Sequence, residues 1–279
     1  FTRNLFKLIR SLTLLSLAIF STMFFVINSS TGYNMVLIDS KMVVGGDISI
    51  SLPENLFLYN STNLLKLVEI IEDDKDIVRY SRVSRYYYLS DLSSFDILTY
   101  AKIQGINGLV VFYGVDTSYV SLKVVKQYLN LYEDFMEDSV LINSKLRSRL
   151  GDKNELVLMI VNQTKTLLYN FTIAGEIDFT PGIPVDYLST ERRGGVLLSM
   201  SRLAEILKIF NKTLEVSEII IDVAPGVSSI LVKERLESKI KEVFPSNVRS
   251  RILITSLDEY MDSTYGDFLT LRKYFGSIT

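Results

Sequence analysis

Two acidic clusters are the residues of this chain best suited to chemistry: Glu72-Asp73-Asp74-Asp76 and Glu133-Asp134-Glu137-Asp138. Carboxylates at this density can ligate a divalent cation through oxygen, or pair as general acid and general base. Each cluster falls where a helix is predicted to end, and a solvated surface is the stronger account of both. No catalytic, cofactor-binding or metal-ligating residue is assigned to either. The chain has no Cys and no His, which removes thiolate catalysis, disulfides, sulfur-ligated metals and the commonest general base. Arg79, Arg82 and Arg85 run into Tyr86-Tyr87-Tyr88, a combination suited to a sugar or a protein partner; an outward polar strand face is preferred. The turn Asp178-Phe179-Thr180-Pro181-Gly182-Ile183-Pro184 is apolar-tipped and can either touch a partner or simply end a stiff hairpin.

Modification chemistry is more widely written. Asn-X-Ser/Thr sequons stand at Asn28, Asn60, Asn162, Asn170 and Asn211, each an acceptor for an N-linked glycan on an outward-facing surface. All five lie after the apolar run Leu12 to Ile27, LTLLSLAIFSTMFFVI, which carries no charge. A bilayer core of roughly 30 Å needs about 20 apolar residues, so the run spans only by borrowing from its flanks. Arg3, Lys7 and Arg10 precede it and no basic residue follows until Lys41; positive flanks stay cytoplasmic, which places everything after residue 30 outside. A cleaved signal peptide would need a better small-residue site than Ser21, Ser29 and Ser30 supply. Phe20, Met23, Phe24 and Phe25 lack the GxxxG spacing of a dimer seam and are expected to face lipid.

Composition supports one sizeable outer domain. With 279 residues, 48% hydrophobic content and net charge −2, about 230 residues outside the membrane can build a core. The balanced charge gives nucleic acid no basic surface. Residues 1–10 read as a cytoplasmic amphipathic lead-in and 11–30 as a transmembrane helix. Residues 31–118 and 195–257 read as two β-α-β halves of an α+β domain, 119–194 as a β-rich inserted subdomain, and 258–279 as a helix returning towards the membrane. In detail, 35–52 is predicted as strand, Gly-Gly turn and strand, Asn63 to Asp74 as a helix, Ile77 to Leu89 and Leu109 to Val115 as strands, and Tyr119 to Leu131 as a helix.

Several stretches in this order resemble the extracytoplasmic domain of MacB-like and FtsX-like ABC transporter permeases. RNLFKLIRSLTLLSLAIF is similar to the basic, Leu-rich start of their first membrane helix, VVGGDISIS to the strand after it, and VVFYGVDTSYVSL to a strand ending in a Gly-Val-Asp turn. EDFMEDSVLINSKLRSRLGDKNELVLMI, YNFTIAGEIDFTPGIP, VLLSMSRLAEIL and EIIIDVAPGVSSILVKERLESKI follow the family's order. The resemblance implies a permease dimer, homo- or heteromeric, in the lipid bilayer, driven by a cytoplasmic ABC ATPase and able to meet an extracellular partner protein. It also implies further membrane helices after Thr279. No GxxxxGK[ST] phosphate loop occurs, and Gly105-Ile106-Asn107-Gly108 lacks its Lys and Ser/Thr, so ATP hydrolysis is expected in the partner rather than in this chain. Together with the sequons, the resemblance points to an archaeal cell membrane. The alternative is a glycosylated single-span surface or filament protein, similar to type IV pilins. Against it, Arg3, Lys7 and Arg10 would then be buried in a filament core.

Overall fold

The computed structural model describes residues 16, 23, 31–94, 99–107, 109–161, 166–177, 180–183 and 194–276. The expected lead-in at 1–10 lies outside them, as does the expected membrane segment 11–30 apart from Ser16 and Met23, both helical and exposed. Among the described residues no helix is long and apolar enough to cross a membrane. The chain divides into two units, Lys41–Glu259 and the pair of end segments Phe1–Ser40 and Tyr260–Thr279.

The larger unit is organised on one mixed sheet of thirteen strands. Its strands are β1 (Ile48–Ser51), β2 (Ile77–Ser84), β3 (Tyr87–Tyr88), β4 (Ser93–Ser94), β5 (Thr99–Ile103), β6 (Val110–Val115) and β7 (Leu129–Leu131). They continue as β8 (Ser139–Ile142), β9 (Glu155–Val161), β10 (Thr166–Ile177), β11 (Gly194–Ser199), β12 (Val216–Val223) and β13 (Leu253–Ser256). The order across the sheet is β13-β1-β12-β2-β6-β11-β8-β10-β9-β5-β4, with β3 on β6 and β7 on β10. This α+β architecture agrees with the expected fold class. β6 and β11 are buried on both faces and pair in parallel, which is why VVFYGV and GGVLLS read as unbroken apolar runs.

Helices cover one face. They are α2 (Thr62–Glu72), α3 (Ser144–Leu150), α4 (Met200–Ile209) and α5 (Ser229–Val243), with the short α6 (Ser246–Arg249) and the final α7 (Leu257–Gly276). Leu64, Leu67 and Ile71 of α2, Leu203, Ile206 and Leu207 of α4, and Val232, Leu236 and Ile240 of α5 recur at helical spacing and pack on Ile48, Ile50, Ile219 and Ile221 in one continuous core. Ser61 caps α2 and Ser199 caps α4 through their side chains, each accepting an N–H of the first turn. On the opposite face Tyr113, Tyr119, Leu122, Val125, Ile183 and Ile220 form a second, smaller core.

Two expected elements differ. Residues 35–44 are helix, part of α1 (31–44), not strand. Their buried positions Val36, Ser40 and Val44 are four apart, a helical period that the apolar composition of MVLIDSKMVV concealed. The helix predicted at Tyr119 to Leu131 is instead two 3₁₀ turns, Thr117–Ser121 and Val125–Gln127, followed by β7. The N–H of Lys123, which a helix would direct to the carbonyl of Tyr119, donates to the Asp222 carboxylate at 2.8 Å. A buried tertiary acceptor thus outcompetes the local ladder.

In the first acidic cluster Glu72 and Asp73 are exposed as expected, but Asp74 is not. Asp74 is 6% exposed and is gripped by Arg235 of α5, Nε to Oδ2 at 3.0 Å and Nη2 to Oδ1 at 2.9 Å, while Nη2 also reaches Asp76 at 2.7 Å. The hydrogen bond from Arg235 holds the Asp74 carboxyl below its ordinary range. Replacing Arg235 by Ala strands that carboxylate and is expected to cost about 1–3 kcal/mol, discounted for the half-exposed guanidinium. The R235A/D74N pair is expected to recover most of it. Urea midpoints of the two variants and the parent check this.

Candidate functional site

The first strand and the last helix of the larger unit meet at one residue, Asp47. Helix α1 stops at Gly45, whose φ of 78° is left-handed and whose N–H closes on Lys41 O at 2.8 Å. Two residues on, the main chain of Asp47 donates to Ile221 O at 2.9 Å and accepts from Leu257, the first residue of α7, at 2.9 Å. Its carboxylate Oδ2 accepts the Val223 N–H at 2.7 Å and the Lys123 ammonium at 2.9 Å. That ammonium also donates to Val223 O at 2.6 Å. The end of β12 and Lys123 therefore meet on the Asp47 carboxyl group, while its main chain holds β12 and the start of α7.

Behind it stands Asp222, fully buried. Its Oδ2 takes the Lys123 N–H, and its Oδ1 has no partner among the described residues. Burial pushes its carboxyl up, opposed by the Lys123 hydrogen bond and reinforced by the neighbouring Asp47 charge. The outgoing end is pinned separately: Ser229 Oγ donates to Asp258 at 2.9 Å, and Lys233 pairs with Glu259, holding that carboxyl low.

The Pro-Gly loop supplies the second clamp. Gly182 N–H donates to Met42 O, in the last turn of α1, at 2.9 Å. A Cβ on Gly45 would lie 2.6 Å from the Gly182 Cα, and one on Gly182, itself at φ 73°, would collide with Ile220. Only two glycines permit this crossing. Tyr119, buried, donates to Pro181 O at 3.0 Å. Thr180 and Ile183 are buried with it, so the described part of this loop holds the end of α1 and is not an exposed tip; Asp178, Phe179 and Pro184 lie outside the described residues.

On the same sheet, Glu218 of β12 accepts from Ser49 Oγ at 3.1 Å and Ser51 Oγ at 2.9 Å. Burial raises its pKa to about 7, partly offset by the two hydroxyls. Unlike the Arg235-held Asp74, it favours the protonated state.

The arginine and tyrosine run is not an outward polar face. Arg82 is bidentate on Asp116, at 2.9 and 2.8 Å, and Arg85 pairs with Glu54 and Glu215. Tyr86 and Tyr88 pack against the second core, and Tyr87 against the first. The second acidic cluster is exposed as expected, with Glu137 accepting from Ser201 and Asp138 paired to Arg202. Of the sequon residues, Asn60, Asn170 and Asn211 are exposed, the first and last with left-handed φ of 63° and 55°; Asn28 and Asn162 lie outside the described residues. Among the described residues no group of three or more acidic side chains is placed to hold a metal ion.

Sequence reasoning missed Asp47, Lys123, Asp222 and Gly182 as a set. The available signal was an Asp in each of two strongly apolar stretches, VVGGDISI and EIIIDVAPG. An unpaired carboxylate is costly there, so each had to have a partner.

A mixed sheet of this kind, helix-covered on one face, has a counterpart among solved structures. The periplasmic region of MacB from Actinobacillus actinomycetemcomitans has this fold, with TM-score 0.51 at 10% identity over 82% of this chain and 97% of that one. A domain of a candidate permease from Porphyromonas gingivalis aligns over 75% of this chain and 88% of its own, with TM-score 0.43 at 15% identity. No protein-family model matches the sequence, and no curated protein matches it.

Two outcomes follow for the joint. Gly45→Ala and Gly182→Ala are each expected to destabilise the larger unit by about 3 kcal/mol or more, read from denaturant midpoints, because backbone rather than a movable side chain blocks the Cβ at Gly45. For Glu218 the folded pKa is raised, so the protonated fold is favoured and stability is fully present below pH about 4.5. It declines as pH rises towards about 7. Glu218→Gln is expected to flatten that slope, adding about 2 kcal/mol above neutrality, as measured by urea unfolding from pH 4 to 8.

Proposed function

We propose that the chain is the outer portion of an ABC-type permease subunit that relays movement between a cytoplasmic ATPase and the extracytoplasmic side. The observation that carries this reading is the convergence at Asp47. A displacement of α1 acts directly on β1 and β12, and through the Asp47 carbonyl on the start of α7. Coupling of this kind needs a contiguous, stiff element, and the start of a strand locked by two clamps provides one. Within the smaller unit, Asp39 accepts a hydrogen bond from Tyr265, so the segments on either side of the outer domain touch. The MacB-like fold supports the same assignment.

In this reading the expected segment at 11–30 anchors the chain with its N-terminus cytoplasmic and the bulk outside. The chain carries no catalytic site of its own, and a second permease subunit completes the membrane part. The archaeal cell surface follows from the family resemblance together with the sequons, and glycan attachment from the sequons.

Pull-down of the chain from native membranes tests the proposal. Co-purification of an ATPase whose turnover changes when Gly182 is replaced by Ala is the expected result. A chain recovered without any ATPase, or as helical filaments in electron micrographs, would overturn it.

A further inference from the structure

A cleft of about 510 Å³ opens between α4 and the segment before α2. Its volume lies within the range of small-molecule sites, about 300–1,000 Å³. It sits beyond the carboxyl ends of β6 and β11, which finish side by side at Val115 and Ser199 and run parallel. In open α/β sheets the ends of parallel strands are where ligands gather. The space exists because β2 leaves β6 after a single pairing, Val83 with Val115.

The floor is a fixed, neutral pair. Arg82 places two nitrogens on Asp116, its guanidinium lies 5.4 Å from the Tyr59 ring centroid, and Arg82 and Asp116 side chains are only 20% and 16% exposed. Tyr80, its phenol pushed up to about 12 by burial and by Glu72, stays a donor to that carboxylate and turns no charge into the cleft. At the rim, Glu137 uses one oxygen on Ser201 and leaves the other open. Arg79 uses one nitrogen on Ser121 O at 3.3 Å and leaves the rest. Val78, 50% exposed, adds an apolar edge.

Arg79 and Arg82 balance Asp116 and Glu137, so neither an anion nor a cation is selected by net charge. What lines the space is the exposed Arg79 and Glu137 at the rim, the Ser118 and Ser201 hydroxyls, whose protons go to Tyr80 O and Glu137 and whose oxygens can still accept, and aromatic and apolar edges beside them. Carboxylate and guanidinium groups present paired acceptors and paired donors at the spacing of adjacent hydroxyls, while C–H faces rest on aromatic or aliphatic surface. We infer that this cleft binds a neutral polyhydroxylated ligand of the hexopyranose class. The inference is independent of the transport assignment.

Saturation-transfer NMR on the full chain in detergent, with D-glucose, D-galactose and N-acetyl-D-glucosamine each at about 10 mM, tests it. Transfer to at least one sugar is expected, weakened about tenfold or more in the exposed double variant Arg79→Gln/Glu137→Gln and unchanged in Lys102→Gln on the distant β5. The melting temperature of the double variant is expected to match the parent, which separates lost binding from lost fold. No transfer to any of the three sugars, transfer that survives the double variant, or displacement of the sugar by equimolar succinate or putrescine overturns the inference.

Discussion

The Asp47 carboxylate is the constraint on which the rest of the domain depends. A carboxylate at the start of a strand, between a helix end and an apolar sheet, must be satisfied by whatever lies within reach. Here it is met by the Val223 amide and the Lys123 ammonium. Only Gly46 separates the left-handed Gly45 from Asp47, so the last turn of α1 is held close to the start of β1. The same residue's carbonyl starts the last helix. One acidic side chain and one peptide unit thus tie β1, β12, Lys123 and the start of α7 together.

Buried charge recurs in the domain with different outcomes. Asp74 is paired with Arg235 and held low, Asp222 is left with an unpartnered oxygen and pushed up, and Glu218, met only by serine hydroxyls, titrates near neutrality. The difference lies in the partner. A guanidinium compensates lost hydration of a carboxylate, a backbone amide does so in part, and a hydroxyl does so least. Asp74 strengthens the fold as pH rises, whereas Glu218 weakens it. The joint at Asp47 and Asp222 lies between two elements, β12 and the 3₁₀ segment, that the chain could not bring together without the sheet.

The neutral cleft follows from the same sheet. Parallel pairing of β6 with β11 requires a crossover, and the strand ends left by it face the first turn of α4. The early departure of β2 widens that space. Strand order, rather than any local motif, therefore put Arg79, Arg82, Asp116 and Glu137 around one volume.

The sequence by itself determined the α+β class, the strands whose apolar runs are buried on both faces, and helices α2, α4 and α5, because periodicity is written locally and each element buries the face its pattern marks. It also carried the order of stretches that resembles the permease domain. It did not determine α1 or the 3₁₀ turns, since MVLIDSKMVV is apolar enough for either helix or strand and Lys123 obeys an acceptor about a hundred residues away. Nor did it show that Asp47, Lys123, Asp222 and Gly182 meet. Burial of a charge or of a bare glycine backbone is favourable only in the presence of its partner, and the partner's position is a property of the tertiary structure.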